Sequence, residues 1–422
     1  MDRRSFLVMA LAGAADPMQA LQPVALQKSA SVSSMALSSD GPIAIVPGFD
    51  DWLSGFRARL ILDGYSADLI DQELTGLTAD PRVVAAESRQ PEFSKPMSDY
   101  VKGVVTEGRV REGQDYMSSL AFLPDVEQRF GVPREIMLAI WCVESGFGRI
   151  QGDMDVLRCL ATIAASGRRR AFGESQIKAA LQMIVTGEAT RSTLRGSWAG
   201  AMGQTQFIPT SFLTAAVDQD GDGRRDIWSS QADALASCAS LLSRGGWQGG
   251  VGWQREVILP PDFDYSLAEG PRNPLAWWEA MGVRLADGRG WSQADAAASS
   301  VLIVPCGVGG PAFLVLPNHF AIRTYNNATA YALAVGLLAD RFAAHSAVVA
   351  PWPAESPLSL ADRTGAQESL RKLGFDPGDS DGIVGAQTRV ALRAWQKARG
   401  KPADGYLSID VVRALMGEVS PT

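Results

Sequence analysis

From Phe49 onward, apolar residues recur at the three- and four-residue spacing of amphipathic helices, first in FDDWLSGFRARLILDGY and then through DYVKGVVTEGRVREGQDYMSSLAFLPDVEQRFG. The next stretch, PREIMLAIWCVES, is apolar on nearly every face, which predicts a central, buried helix with Pro133 in its first turn. Ile136, Ile140 and Glu144 fall at i, i+4 and i+8, so a carboxylate ends an otherwise hydrophobic stripe, and Gly146 and Gly148 stop the helix. After the Pro-rich break APWPAESP at 350–357 come three short amphipathic patterns, LADRTGAQESLRKLGF, TRVALRAWQKARG and LSIDVVRALM. Leu370, Leu373, Val390, Trp395, Val411 and Leu415 are placed to share one small core there. The expected fold class is therefore mainly α. A large helical unit spans 45–349, a linker 350–357 and a small three-helix bundle 358–417.

Residues 16–44 are rich in Ala, Ser, Gln and Pro without periodicity, and 28–44 reads as a tether. Before them, MDRRSFLVMALAGAA runs from basic to apolar to small residues, the order of a secretory signal, which we place at 1–27. Arg3 and Arg4 also fit a twin-arginine signal. Leu11-Ala12-Gly13-Ala14 follows a lipoprotein cleavage box, but alanine stands where the acylated cysteine belongs. The expectation is a periplasmic protein with neither a lipid anchor nor a stable membrane span in the mature chain.

Composition narrows the chemistry. A net charge of −7 gives no drive towards phosphate backbones, so nucleic acid is not an expected partner. With only two histidines, His319 and His345, a His-rich zinc site or a serine triad is hard to build. Cys142, Cys159, Cys238 and Cys306 form no CxxC pair and allow up to two disulfides of unspecified pairing.

Glu144 is the candidate acid. Desolvation and the negative end of a helix dipole both raise the pKa of such a glutamate, which suits a general acid. The plainer alternative is a helix-end glutamate paired with Arg149. Arg168, Arg169 and Arg170 form a basic cluster whose guanidinium forks suit carboxylates, or else a solvated, helix-flanking run. In DQDGDGRRDIWSS, Asp218, Asp220 and Asp222 alternate and are followed by Gly223 and the Arg224 carbonyl, as in an EF-hand calcium loop. Ser229 stands where a bidentate glutamate belongs, so the pattern is broken, and the other reading is an Asp/Gly surface turn.

Four ordered segments carry a resemblance: IWCVESGFGR at 140–149, RRRAFGE at 168–174, GSWAGAMGQTQFIPTSF at 196–212 and RTYNNATAYA at 323–332. Together they resemble the lytic murein transglycosylase B family over about 300 residues. The resemblance implies a lysozyme-like catalytic fold, Glu144 as the single acid/base, and Ser197, Gln206, Tyr325, Asn326 and Tyr331 lining the site. Arg169 and Arg170 add a subsite for muramic acid or stem-peptide carboxylates. The family's comparable acidic loop binds calcium and takes a downstream acid, for which Asp233 is the candidate, one residue later than expected. Any Ca²⁺ here is structural, and no cofactor enters the chemistry.

The expected reaction cleaves the β-1,4 bond between N-acetylmuramic acid and N-acetylglucosamine and leaves a 1,6-anhydromuramoyl product. The expected partners are peptidoglycan glycan strands and their stem peptides, acted on by a monomer. LGFDPGDSDGIVGAQTRVALRAWQKARG at 373–400 resembles a peptidoglycan-binding domain of the three-helix type. The alternatives are a lysozyme-type hydrolase, in which water attacks, and a non-catalytic peptidoglycan-binding scaffold.

Overall fold

The computed structural model describes residues 46–88, 95–292 and 298–419, so the expected signal and tether lie outside the described residues. The helical part comprises α1 (Phe49–Leu62), α2 (Ala67–Leu74), α3 (Pro81–Ser88), α4 (Met97–Val104), α5 (Glu107–Ser119), α6 (Leu123–Phe130) and α7 (Arg134–Ser145). It continues through α8 (Val156–Ser166), α9 (Arg170–Val185), α10 (Pro209–Ala215) and α11 (Gln231–Arg244), and after an insertion closes with α13 (Pro317–Tyr325) and α14 (Thr329–Phe342). Every residue from Ile136 to Val143 is buried, which is why the α7 sequence shows no polar face. Helices α14, α5, α11 and α6 pack around it.

The insertion is a departure from the sequence expectation, which read this part of the chain as helical. Strands β3 (Gln254–Ile258), β4 (Asn273–Pro274), β5 (Arg284–Leu285), β6 (Ser299–Ile303) and β7 (Ala312–Val315) form an antiparallel sheet in the order β4-β6-β7-β3-β5, with the short helix α12 (Leu275–Ala280) between β4 and β5. The reason it escapes periodicity is visible in β7. Phe313 and Val315 face the helical core, while Ala312 and Leu314 face a second core with Trp278 and Val283. Both faces are apolar, so the alternation that marks a half-buried strand is missing.

The C-terminal part forms the expected helical module, with α15 (Leu360–Lys372), α16 (Ala386–Ala398) and α17 (Ile409–Val419), the last helix running two residues past the expected end at 417. Its core joins Ala366, Leu370, Ala391, Leu392, Trp395, Leu407, Val412 and Leu415. Val390, expected inside, is 61% exposed. The face of α16 that turns inward is Thr388, Ala391, Leu392 and Trp395, and Val390 lies off that stripe.

The four cysteines are free and buried, and burial pushes the thiols of Cys142, Cys159 and Cys306 up to about 12. Among the described residues, no helix is long and apolar enough to cross a membrane.

Candidate active site

Helix α7 ends at Gly146, which adopts φ +58° and whose N–H returns to the Cys142 carbonyl. That stop leaves Glu144, half-buried, in the last helical turn. Arg149, the alternative partner, pairs with Glu112 instead. The residue that reaches Glu144 is Tyr331, whose hydroxyl donates to Oε1 at 2.7 Å. Burial first, and then the charge of Glu144, hold the Tyr331 hydroxyl well above the usual tyrosine range, so it stays a protonated donor.

A second segment, 196–207, is fastened to the end of α7. Ser145 Oγ donates to the Gln204 carbonyl at 2.5 Å and accepts from the Gly148 N–H at 2.8 Å. Trp141 Nε1 donates to Gln204 Oε1 at 3.1 Å. Gly148 adopts φ +81°, which strains any residue with a side chain, and a Cβ there would sit 2.6 Å from that same Oε1 and push Gln204 aside. Short strands β1 (Met154–Asp155) and β2 (Arg195–Gly196), together with reciprocal 2.8 Å bonds between Met202 and Phe207, shape the loop.

Within this loop the two predicted residues take opposite roles. Ser197 Oγ accepts from the Ala201 N–H at 3.2 Å and keeps its own proton to donate. Gln206 adopts φ +51°, a strained conformation for a non-glycine residue, and spends its amide N–H groups on the carbonyls of Gln151 and Gly203, both at 2.9 Å. Its remaining hydrogen-bonding atom, Oε1, is an acceptor.

Tyr325 was expected to touch sugar but is nearly fully buried, and its hydroxyl donates to the Thr205 carbonyl at 2.6 Å. It therefore supports the loop from behind. Asn326 is also buried, and its Oδ1 accepts from the Ala328 N–H at 3.1 Å at the entry to α14, the helix that carries Tyr331. Arg169 and Arg170 sit at the start of α9. Arg169 lies over the Phe172 ring, and Arg170 Nε donates to the Ala164 carbonyl. Sequence reasoning missed Ser145, Gln204 and Gln151, which tie the end of α7 and the 196–207 loop together through hydrogen bonds. The signal was there in the glycines around them, which mark close backbone approach.

In the acidic loop, Asp218, Asp220 and Asp222 bring carboxylate oxygens within 4.8 Å of one another. These are hard oxygen donors of the kind that suit Ca²⁺. Asp233 departs from expectation. It is fully buried, and its carboxylate accepts backbone N–H groups of Gln219 at 2.7 Å, Asp220 at 3.4 Å and Asp226 at 2.8 Å, bracing the loop from below. Burial raises its pKa against the pull of those bonds.

Residues 48–340 match the family model described as the transglycosylase SLT domain, and residues 359–415 match the putative peptidoglycan binding domain. The chain is 31% identical over 255 residues to the membrane-bound lytic murein transglycosylase B of Escherichia coli (strain K12), a match spanning 58% of this chain and 66% of that protein. It is similar in structure to SltB3 from Pseudomonas aeruginosa in complex with NAG-anhNAM-pentapeptide, with a TM-score of 0.81 and 45% identity over 87% of this chain and 99% of that one. The Escherichia coli lytic transglycosylase Slt35 in complex with calcium matches at a TM-score of 0.60 and 26% identity, over 69% of this chain and 92% of that one.

Proposed function

The chain belongs to the transglycosylase SLT domain family, and from that premise we propose that it is a peptidoglycan lytic transglycosylase with Glu144 as its only acid/base. The observation that carries this reading is the Tyr331–Glu144 hydrogen bond at the end of a buried helix, beside a loop that presents Ser197 as a donor and Gln206 as an acceptor. Glu144 protonates the glycosidic oxygen between N-acetylmuramic acid and N-acetylglucosamine, and the C1–O bond breaks with its electron pair leaving on that oxygen. The Glu144 carboxylate then takes the proton of the muramoyl 6-hydroxyl as that oxygen bonds to C1, giving the 1,6-anhydro ring without consuming water. A two-carboxylate glycosidase, with its acids about 5–10 Å apart, needs the second to supply a nucleophile or to activate water. Here the substrate supplies the oxygen.

Replacing Glu144→Gln removes the transferable proton at nearly constant shape. Anhydromuropeptide release from sacculi should fall by at least about 100-fold while sacculus binding persists. Products one water heavier from the wild-type chain would mean hydrolysis and reject the mechanism.

Asp218, Asp220, Asp222 and the Arg224 carbonyl would hold a structural Ca²⁺, which fixes a loop and supplies no catalytic chemistry. At a free concentration of about 100 times Kd, calcium should stabilise the chain by about 2.7 kcal/mol. The check is a rise in thermal midpoint that Asp220→Asn removes; an equal rise in that variant rejects the site. Export to the periplasm on residues 1–27, a tether at 28–44, and action as a monomer on strands gripped by the 358–417 module complete the reading.

A further inference from the structure

Helix α7 is stopped by three successive residues with positive φ: Gly146 at +58°, Phe147 at +61° and Gly148 at +81°. A left-handed backbone crowds Cβ against the following carbonyl, so such residues normally occur singly and as glycine. Here the middle one carries a benzyl group. The other non-glycine residues with positive φ among the described residues are Gln206, Glu269 and Ala344, so Phe147 is the only aromatic one. A bulky residue at positive φ persists where its surroundings over-determine it, and such outliers gather at functional sites.

What holds Phe147 there is its ring. The residue is 3% exposed, and its ring centroid lies 4.9 Å from that of Tyr116 on α5 and 5.4 Å from that of Trp141 on α7. Tyr116 and Trp141 also meet, at 4.8 Å, so the three rings close on one another at favourable aromatic separations. The backbone of the turn returns to the end of α7. The Phe147 N–H donates to the Trp141 carbonyl at 3.2 Å, the Gly148 N–H to Ser145 Oγ at 2.8 Å and the Ile150 N–H to the Ser145 carbonyl at 2.9 Å. Ser145 is the neighbour of Glu144 in the chain. Trp141 carries the indole N–H that fastens the 196–207 loop through Gln204. The Phe147 ring thus bears on the helix end that carries Glu144 and on the side chain that ties Ser197 and Gln206 to it.

We propose that Phe147 is a positioning residue for Glu144: its ring, held by Tyr116 and Trp141, locks the left-handed turn and so fixes where the carboxylate meets the Tyr331 hydroxyl. The inference rests on the transglycosylase reading, in which Glu144 carries the proton both ways. A glycine at 147 would make the same turn without strain but leave the backbone free to reorient, so the helix end would lose its lock. Phe147 acts through that backbone, and the chemistry stays with Glu144.

The test compares Phe147→Gly and Phe147→Ala in the full chain, two truncations that lose the same ring contacts. Glycine relieves the backbone and alanine does not, so the folding equilibrium constant from urea unfolding should be about fivefold larger for Phe147→Gly. An alanine variant as stable as the glycine one means that the turn is unstrained, which overturns the proposal. Rate should not follow stability. On soluble glycan strands, with rates referred to folded chain, Phe147→Gly should lower kcat about tenfold and leave KM within about twofold. An unchanged kcat, or a loss confined to KM, removes Phe147 from the positioning of the acid. Because Phe147 works through the Glu144–Tyr331 contact, Phe147→Gly combined with Tyr331→Phe should be at most about threefold slower than the slower single variant. Losses that multiply to about 100-fold mean independent effects and also overturn the proposal. Phe147→Leu, which refills the space, carries the same cycle with the same expected non-additivity if Phe147→Gly does not fold. If the wild-type chain releases anhydromuropeptides, these failures fall on Phe147 alone; if it releases none, the transglycosylase reading fails.

Discussion

A tyrosine hydroxyl 2.7 Å from a carboxylate oxygen is the donor, and here burial keeps it protonated across the working pH range. Tyr331→Phe removes that bond while leaving the buried ring in place. A hydrogen bond to a charged group is worth about 1.5–3 kcal/mol, so kcat on sacculi should fall about tenfold or more, with KM unchanged, since no sugar contact is lost. A loss confined to KM would show that Tyr331 binds substrate instead. A lone acid on an apolar stripe marked Glu144 as a candidate, but its assignment as the acid/base came from the resemblance carried by the four ordered motifs. Tyr331 was less conspicuous: in AYALAVGLLADR a tyrosine at helical spacing reads equally as core and as site, and it is both buried and bonded to Glu144. Tyr325 and Asn326 belong to the same motif, yet the Tyr325 hydroxyl goes to the Thr205 carbonyl, a distant partner no local pattern reveals, while Asn326 Oδ1 accepts the Ala328 N–H two residues on, as turn-forming asparagines do.

At the scale of elements, α7 and the 196–207 loop act as one piece because Gln204 bonds both Ser145 and Trp141. Gln204→Leu leaves the buried indole N–H of Trp141 without that acceptor and should cost about 1–3 kcal/mol in chemical denaturation. Activity should fall more than stability explains, since Ser197 and Gln206 ride on the same loop. Helix α13 carries a different signature. Burial pushes the His319 pKa down to about 3, against about 6.5 in an unfolded chain. Protons therefore bind the unfolded state preferentially between these values, so this contribution to stability is complete above about pH 6.5 and is lost as pH falls towards 3. Asp340, whose carboxyl burial raises and which accepts from the Trp253 indole stacked on His319, works in the opposite direction. The urea midpoint of the wild-type chain should drop more between pH 7 and pH 4 than that of His319→Gln; equal drops would remove His319 from the account. Helices such as α7 were readable from period and glycine stops, whereas β6 and β7 were not, because strands buried on both faces lose the alternation that identifies them.

At the scale of the whole molecule, the Pro-rich break marked off a separate module, and contacts across it fasten that module to the rest of the chain. Glu256 on β3 accepts the N–H groups of Val349 and Ala350 at 2.8 and 2.7 Å, pinning the start of the linker to the sheet. Beyond it, Glu269 holds Arg389 and Arg393, and Asp404 holds the Val308 N–H at 3.0 Å. The module has its own core, so these polar contacts decide whether it stays docked and not whether it folds. Removing one partner of a partly buried ion pair leaves the other charge uncompensated, so Glu269→Ala should loosen docking by more than a surface pair would. If docking weakens by about 1.4 kcal/mol, the open population rises about tenfold, and cleavage within 350–357 by a dilute protease rises with it. The expected digest is an intact catalytic fragment and an intact module at that faster rate, with thermal midpoints of both cores close to those of the wild-type chain. Unchanged cleavage would mean that the Glu256 and Asp404 contacts hold the module unaided. Because the Glu269 pair is partly shielded from solvent, salt at about 1 M should reproduce only part of the effect.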